Sequence, residues 1–326
     1  MMENQSSESN QSDQSVSHLT IGRLRRAAVA VSCLLMLLMA YGCVSNALVA
    51  RTDKKAERDP ATGVRPGAEE YWAGPQDADR VVLFVHGFIG GSNNFNELPA
   101  RVAEEGWRVR ALRLPGHGTS PQEFRETEAD ELVEYVLAEA RALNDQYETV
   151  VLAGHSMGCS LSTIAASEGL ADGLIFGAPY YGIRYRWYYG LPLPWWTHAI
   201  RPVVPWLYKG DMFVQAEHED IKGEIFSYEW VPTRGLITLM KIGKRAKDPA
   251  VLEKVDCPVI MFAAKGDDAA SPQAARKVFE QLPGAKHPAS AFVLLENSNH
   301  HVFWDFDHEE LEEKSLEFLE KIEAGE

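Results

Sequence analysis

Val81-Val82-Leu83-Phe84-Val85 is a run of five apolar residues, three of them β-branched. A strand with one wet face alternates apolar and polar residues. An unbroken run of this length predicts a strand covered on both faces. Similar short runs recur at Val109 to Arg113, Thr149 to Ala153, Leu174 to Phe176, Val259 to Ala264 and Phe292 to Leu295. Helical patterns separate them: Asn96 to Glu105, Ala129 to Leu143, Met157 to Ser167 and Gln273 to Leu282, with a charged amphipathic tail from His308 to Ile322. Strand–helix alternation predicts an α/β fold, a mostly parallel, doubly wound sheet with helices on both faces. Right-handed crossovers then bring the C-terminal ends of the strands to one edge, where ligands bind.

One strand end carries chemistry. Val150-Val151-Leu152-Ala153 leads into Gly154-His155-Ser156-Met157-Gly158, and a helical pattern with Leu161, Ile164 and Ala165 follows. A serine hydroxyl is a weak nucleophile at neutral pH and needs an adjacent base. In G-x-S-x-G between strand and helix, the glycines permit a strained turn that lifts the serine to the sheet edge. Ser156 is the candidate nucleophile. Preorganised N–H donors for an oxyanion are expected at Met157, next to the serine, and at Phe88, in the His86-Gly87-Phe88 loop that ends the first strong strand. Chain order places the acid after Val259–Ala264, at Asp267 or Asp268, and the base after Leu295, at His300 or His301. His86, His117 and His155 precede the acid and read as structural or loop residues. No His-Glu-x-x-His, Cys pair or carboxylate cluster points to a metal, and the chemistry needs no cofactor.

The N-terminus differs from the rest. Residues 1–20 are rich in Ser, Gln and Asn and read as disordered. Arg23-Leu24-Arg25-Arg26 then precedes an uncharged run from Ala27 to Ala50. A basic segment before an apolar run is an export signal, with the basic end kept in the cytoplasm. Two tethers fit it. The run is long enough to span a bilayer as a signal anchor. Leu38-Met39-Ala40-Tyr41-Gly42-Cys43 also resembles the lipobox of bacterial lipoproteins, which makes Cys43 the candidate lipidation site. Both put the catalytic domain outside the cytoplasm. Residues 51–70 read as a linker, so the division is an N-terminal segment 1–50, that linker, and a domain over 71–326. Cys159 and Cys257 read as small buried hydrophobes, since two cysteines do not establish a disulfide. The net charge of −15 lacks the basic stripe that a nucleic-acid partner requires.

Residues 183–255 break the strand–helix rhythm and form a predicted cap. Five of the eight tryptophans fall there: Trp187, Trp195, Trp196, Trp206 and Trp230. They can pack the cap onto the sheet or line an apolar substrate cleft.

From Val81 to the C-terminus the chain resembles the monoacylglycerol lipase and carboxylesterase branch of the α/β hydrolases. The matching pieces are Leu83 to Phe88, Leu114-Pro115-Gly116-His117-Gly118, Gly154 to Gly158, Gly266-Asp267 through Pro272, and Ser298 through Asp305. The resemblance implies Asp267 rather than Asp268 as the acid, five residues before Pro272. It implies His300 rather than His301 as the base, two after Ser298 and five before Asp305. Asn299 stands where the family usually has Gly, and Cys159 replaces another common Gly. The implied activity is cofactor-free hydrolysis of short- to medium-chain acyl esters or monoacylglycerols, with a small-molecule ester or lipid as substrate; attachment to a membrane is expected from the N-terminal lipid or anchor alone. The same triad would serve a lysophospholipase, thioesterase or aminopeptidase. Glu217, Glu219 and Asp220 are the candidate amine pocket of a peptidase. A non-catalytic binding protein on this fold is the reading from another class.

Overall fold

A computed structural model of the chain describes residues 5–184, 197, 200–210 and 214–325, with side chains from Arg23 onward. The order of elements opens with a long helix, α1 (Gln5–Lys55), and a short strand, β1 (Tyr71–Ala73). Then come β2 (Arg80–Val85), α2 (Leu98–Glu104), β3 (Arg108–Ala111), α3 (Pro121–Glu126), α4 (Ala129–Asn144), β4 (Thr149–His155), α5 (Met157–Ala166) and β5 (Gly173–Gly177). The insertion contributes β6 (Trp206–Tyr208), β7 (Trp230–Pro232), α6 (Thr233–Ala246) and α7 (Pro249–Leu252). The chain returns to the sheet with β8 (Val259–Ala264), α8 (Pro272–Phe279), β9 (Ala291–Leu295) and α9 (His308–Ala324).

The described strands form a sheet in the order β1-β3-β2-β4-β5-β8-β9. Every pairing in it is parallel except β1 with β3. The unbroken apolar runs are explained by the two cores. Val81, Leu83 and Val85 face a cluster with α4, α5 and α6, while Val82 and Phe84 face one with α2 and α9. Leu152 and Phe176 belong to the first cluster, Ala153 and Ile175 to the second, as period-two geometry requires. β2 lies between β3 and β4, so the winding direction changes beside it. That switch point is where an α/β sheet opens a ligand crevice.

Three features differ from the sequence reading. First, the N-terminal segment is helical from Gln5, where composition suggested disorder. No Gly or Pro interrupts residues 1–21, so helix can propagate backward from the apolar run. Second, residues 51–70 are not a free linker. Helix α1 runs to Lys55, and Asp53 takes salt bridges from Arg58 (2.6 Å) and Arg65 (2.5 Å). Arg65 N–H also donates to the Gly118 carbonyl at 2.8 Å. Third, the back half of the 183–255 insertion is built into the main core, through Leu239, Ile242 and Ala246 of α6. Trp187, Trp195 and Trp196 lie outside the described residues. Trp206 and Trp230 do neither job foreseen for them: they pack against Val49 of α1. All four cysteines are free thiols.

Candidate active site

Ser156 closes β4 and precedes α5 with φ +52° and ψ −112°. A side chain rarely adopts this backbone, and the fold around it leaves no alternative path. The flanking glycines are required by close approach. A Cβ on Gly154 would lie 2.6 Å from the Cys159 nitrogen, and one on Gly158 would lie 1.8 Å from the Val85 carbonyl oxygen. The turn is held by Ser156 N–H donating to the Gly177 carbonyl at 3.0 Å.

Ser156 Oγ lies 2.9 Å from His300 Nε2, and His300 Nδ1 lies 2.9 Å from Asp267 Oδ2. All three side chains are buried. The other carboxylate oxygen of Asp267 accepts from the Ala269 and Ala270 amides, each at 2.8 Å, so the acid is fixed before it meets the imidazole. Asp268 points elsewhere, toward Arg184 at 3.7 Å. His301 is also turned away from the serine. Its ring packs on His155 with centroids 5.3 Å apart. Of the two carboxylates and two histidines that the sequence offered, one of each is brought to Ser156.

Met157 follows the serine and Phe88 lines the same cavity. Met157 is the first residue of α5, so its N–H is one of the free donors at a helix start. The Phe88 N–H has no acceptor among the described residues. His86 orients that loop. Its Nε2 accepts from the Leu114 amide at 3.1 Å, which leaves the proton on Nδ1 to donate to the Gly87 carbonyl at 2.9 Å. Burial holds the His86 imidazole well below its ordinary range, with His117 beside it adding to the effect. It is therefore a neutral strut.

Sequence reasoning missed two polar side chains. Asn94 sends its Oδ1 to the Gly87 amide (3.1 Å) and toward His155 Nδ1 (3.2 Å). His155 Nε2 lies 3.1 Å from the His300 carbonyl; that carbonyl and Asn94 Oδ1 both accept, so a neutral His155 donates to one of them. Burial, then the neighbouring His300, lowers the His155 pKa to about 3. Asn299, which entered the sequence reading as a departure from a family Gly, ties the acid and base loops together. Its Oδ1 accepts from Asp268 N–H (3.0 Å) and from His300 N–H (2.9 Å). Neither role has a local signal, since both depend on loops distant in sequence.

The serine opens into a cavity of about 460 Å³. Its walls are largely apolar: Phe88, Ile183, Leu207, Phe226, Val231 and Leu236 among them. Among the described lining residues none is a carboxylate; Glu217, Glu219 and Asp220 lie outside the cavity. Glu217 instead accepts from Asn299 Nδ2 at 2.9 Å. No group of His, Cys, Asp and Glu among the described residues is arranged to hold a metal ion. Cys43 is exposed on α1. The stretch Arg23–Lys55 is long and apolar enough to cross a membrane.

The profile of the alpha/beta hydrolase family matches residues 82–314. The chain is 28% identical to a thermostable monoacylglycerol lipase of Bacillus sp. (strain H-257) over 263 residues, covering 79% of this chain and 96% of that protein. Among solved structures, a metagenome-derived lipolytic enzyme of the LipS and LipT pair superposes with a TM-score of 0.70 at 25% identity, covering 79% of this chain and 99% of the other. A monoacylglycerol lipase of Paleococcus ferrophilus shares the fold with a TM-score of 0.64 at 20% identity, over 77% of this chain and 97% of that one. A match across most of the sheet domain, on a chain that folds as described, means that this protein belongs to the alpha/beta hydrolase family.

Proposed function

We propose that the protein is a serine hydrolase of carboxylic esters, acting on short- to medium-chain acyl esters or monoacylglycerols through an acyl-enzyme on Ser156. The observation that carries this reading is the relay from Asp267 through His300 to Ser156, opening into an apolar cavity. His300 Nε2 takes the Oγ proton as the serine attacks the ester carbonyl. Asp267 holds the Nδ1–H side and stabilises the imidazolium that forms. The Phe88 and Met157 amides receive the oxyanion in a site with little water, where such donors are worth most. His300 then protonates the leaving alcohol. A water activated by the same imidazole cleaves the acyl-serine bond and frees the acid.

The similarity to monoacylglycerol lipases and esterases supports an ester as the substrate. The apolar walls favour an acyl chain, and the lack of a lining carboxylate among the described residues disfavours an amine-recognising peptidase pocket. Hydrolysis of nitrophenyl esters from acetate to palmitate tests the reading, with Ser156→Ala as control. The native enzyme should cleave the shorter members. The variant should lose at least about 10³-fold in kcat, the scale on which triad members act. An Ala variant as active as the parent removes Ser156 from the mechanism.

The apolar helix is read as a tether that places this domain outside the cytoplasm. Tyr41 OH donates to the Trp206 carbonyl at 2.8 Å, and a Cβ on Gly42 would lie 3.0 Å from the Val203 carbonyl oxygen, so the helix backbone runs close to that segment. Signal cleavage before Cys43 would remove both contacts. Mass spectrometry of the mature N-terminus separates an uncleaved span from a lipidated Cys43: acylated Cys43 overturns the span.

A further inference from the structure

The strands β6 and β7 form a two-stranded ribbon, with Leu207 opposite Val231 and Tyr208 opposite Trp230. Side chains on such a ribbon alternate between faces. Leu207 and Val231 point to the cavity that holds Ser156 and join the apolar cluster of Phe88 and Phe124. Trp206 and Trp230 point the other way, where Val49 of α1 is fully buried against them. Asn46, one turn earlier, accepts from Trp206 Nε1 at 2.8 Å, and Tyr41 OH reaches the Trp206 carbonyl. From the far end, Thr233 Oγ1 donates to the Val204 carbonyl at 2.6 Å. One layer of backbone thus separates the apolar helix from the acyl cavity.

We propose that the Tyr41–Lys55 half of α1 is a working part of the catalytic domain: it sets the position of the β6–β7 ribbon and, through Leu207 and Val231, the acyl-chain selectivity of the cavity. A ribbon of two three-residue strands is marginal alone and takes its position from what packs on its faces. The inner face packs on Phe88, Phe124 and Leu236 beside the cavity, and the outer face rests on Val49 and Asn46 of the helix, so both sides bear on where the ribbon sits. The same helix exposes Leu24, Leu34, Leu35, Leu37 and Met39. Met39 and Val49 are separated by ten residues, about 15 Å along the axis. The wall of the acyl cavity is therefore rigidly joined to the segment that meets lipid. The contacts of Asn46 and Val49 with the ribbon survive cleavage before Cys43, whereas the Tyr41 contact and the exposed Leu24–Met39 stretch belong to the retained helix alone. These residues act by positioning and touch no reacting atom.

The proposal rests on ester hydrolysis by this cavity. The full chain in detergent micelles is assayed on nitrophenyl acetate and nitrophenyl decanoate, comparing the parent with Val49→Ala, Asn46→Ala and, as control, Leu48→Ala on the exposed side of the helix. The ratio of kcat/KM for decanoate over acetate should fall about tenfold in the first two, the scale of one displaced methylene contact in an apolar pocket. It should not change in the control. Binding of a fluorescent C10 fatty acid makes the same comparison without turnover. A parallel loss on both substrates with a lowered Tm means that the helix only stabilises the fold, and overturns the proposal. An unchanged ratio with parental activity overturns it too. Should Val49→Ala not fold, Asn46→Ala decides. A parent that cleaves neither ester sinks the ester reading itself, which is a different failure.

Discussion

At the scale of single residues, the site depends on groups that carry no reactivity of their own. Ser156, Asp267 and His300 were legible because a strained turn and a fixed chain order leave marks in sequence. The choice between neighbours, Asp267 over Asp268 and His300 over His301, came from resemblance; the residues alone left it open. Asn299 shows the limit. Its substitution for a family Gly read as a weakness, yet its Oδ1 binds the amides on both the acid and the base loops. Asn299→Gly keeps the backbone path but frees the two loops from each other. We expect kcat to fall about tenfold, since small misplacements of a catalytic group are costly, while KM changes little. Steady-state kinetics on one nitrophenyl ester reads this directly. An unchanged kcat would mean that the Asp267–His300 contact alone holds the pair.

At the scale of elements, strands buried on both faces were predicted well because two cores demand unbroken apolar runs. Those with three residues, β1, β6 and β7, were missed: three residues show no period. The long helix was seen only in its apolar part. Its polar first turns carry no amphipathic stripe, and residues 56–70 read as linker because the partners of Arg65, Gly118 and Thr119, are remote in sequence. Asp305 is the clearest device joining elements. This fully buried carboxylate accepts four backbone amides: Glu217 (2.8 Å), His218 (3.0 Å), Asn299 (2.8 Å) and Phe306 (3.1 Å). It pins the cap segment to the loop carrying His300. Asp305→Asn presents an NH₂ group to N–H donors and orphans two of them. Each buried unsatisfied donor costs about 1–3 kcal/mol, so a loss of at least about 2 kcal/mol is expected. Urea unfolding of the two proteins measures it, and a difference below about 1 kcal/mol would show that the cap is held elsewhere.

At the scale of the whole molecule, an acidic chain has buried four histidines around its site besides His300. His86, His117, His155 and His301 are buried around the site, and each imidazole is pushed below its usual range, first by loss of water. His117 falls to about 4 and His155 to about 3. A buried neutral ring at each place suits a site whose own His300 must be free to take a proton. The consequence appears in acid. Below about pH 6.5 the unfolded chain binds protons on these rings while the folded chain does not. Stability contributed by them is therefore complete above that pH and drains as pH falls, down toward the folded-state values of about 4 and 3. At pH 4.5 each ring still neutral in the fold costs on the order of 2–3 kcal/mol. For His117 and His155 together that is a sizeable part of the stability of an ordinary domain, about 5–15 kcal/mol. Surface carboxylates, with ordinary values near 4, titrate mostly below this window and relieve little of it. The Tm should be flat from pH 8 to about 6.5 and fall steeply toward pH 4.5. His117→Gln, which keeps an N–H for the Pro115 carbonyl, removes one proton from the slope. Calorimetry across that range reads both effects. A Tm that holds between pH 6.5 and 5 would mean that these rings are protonated within the fold, and that the neutral struts argued for the oxyanion loop and for His155 are charged.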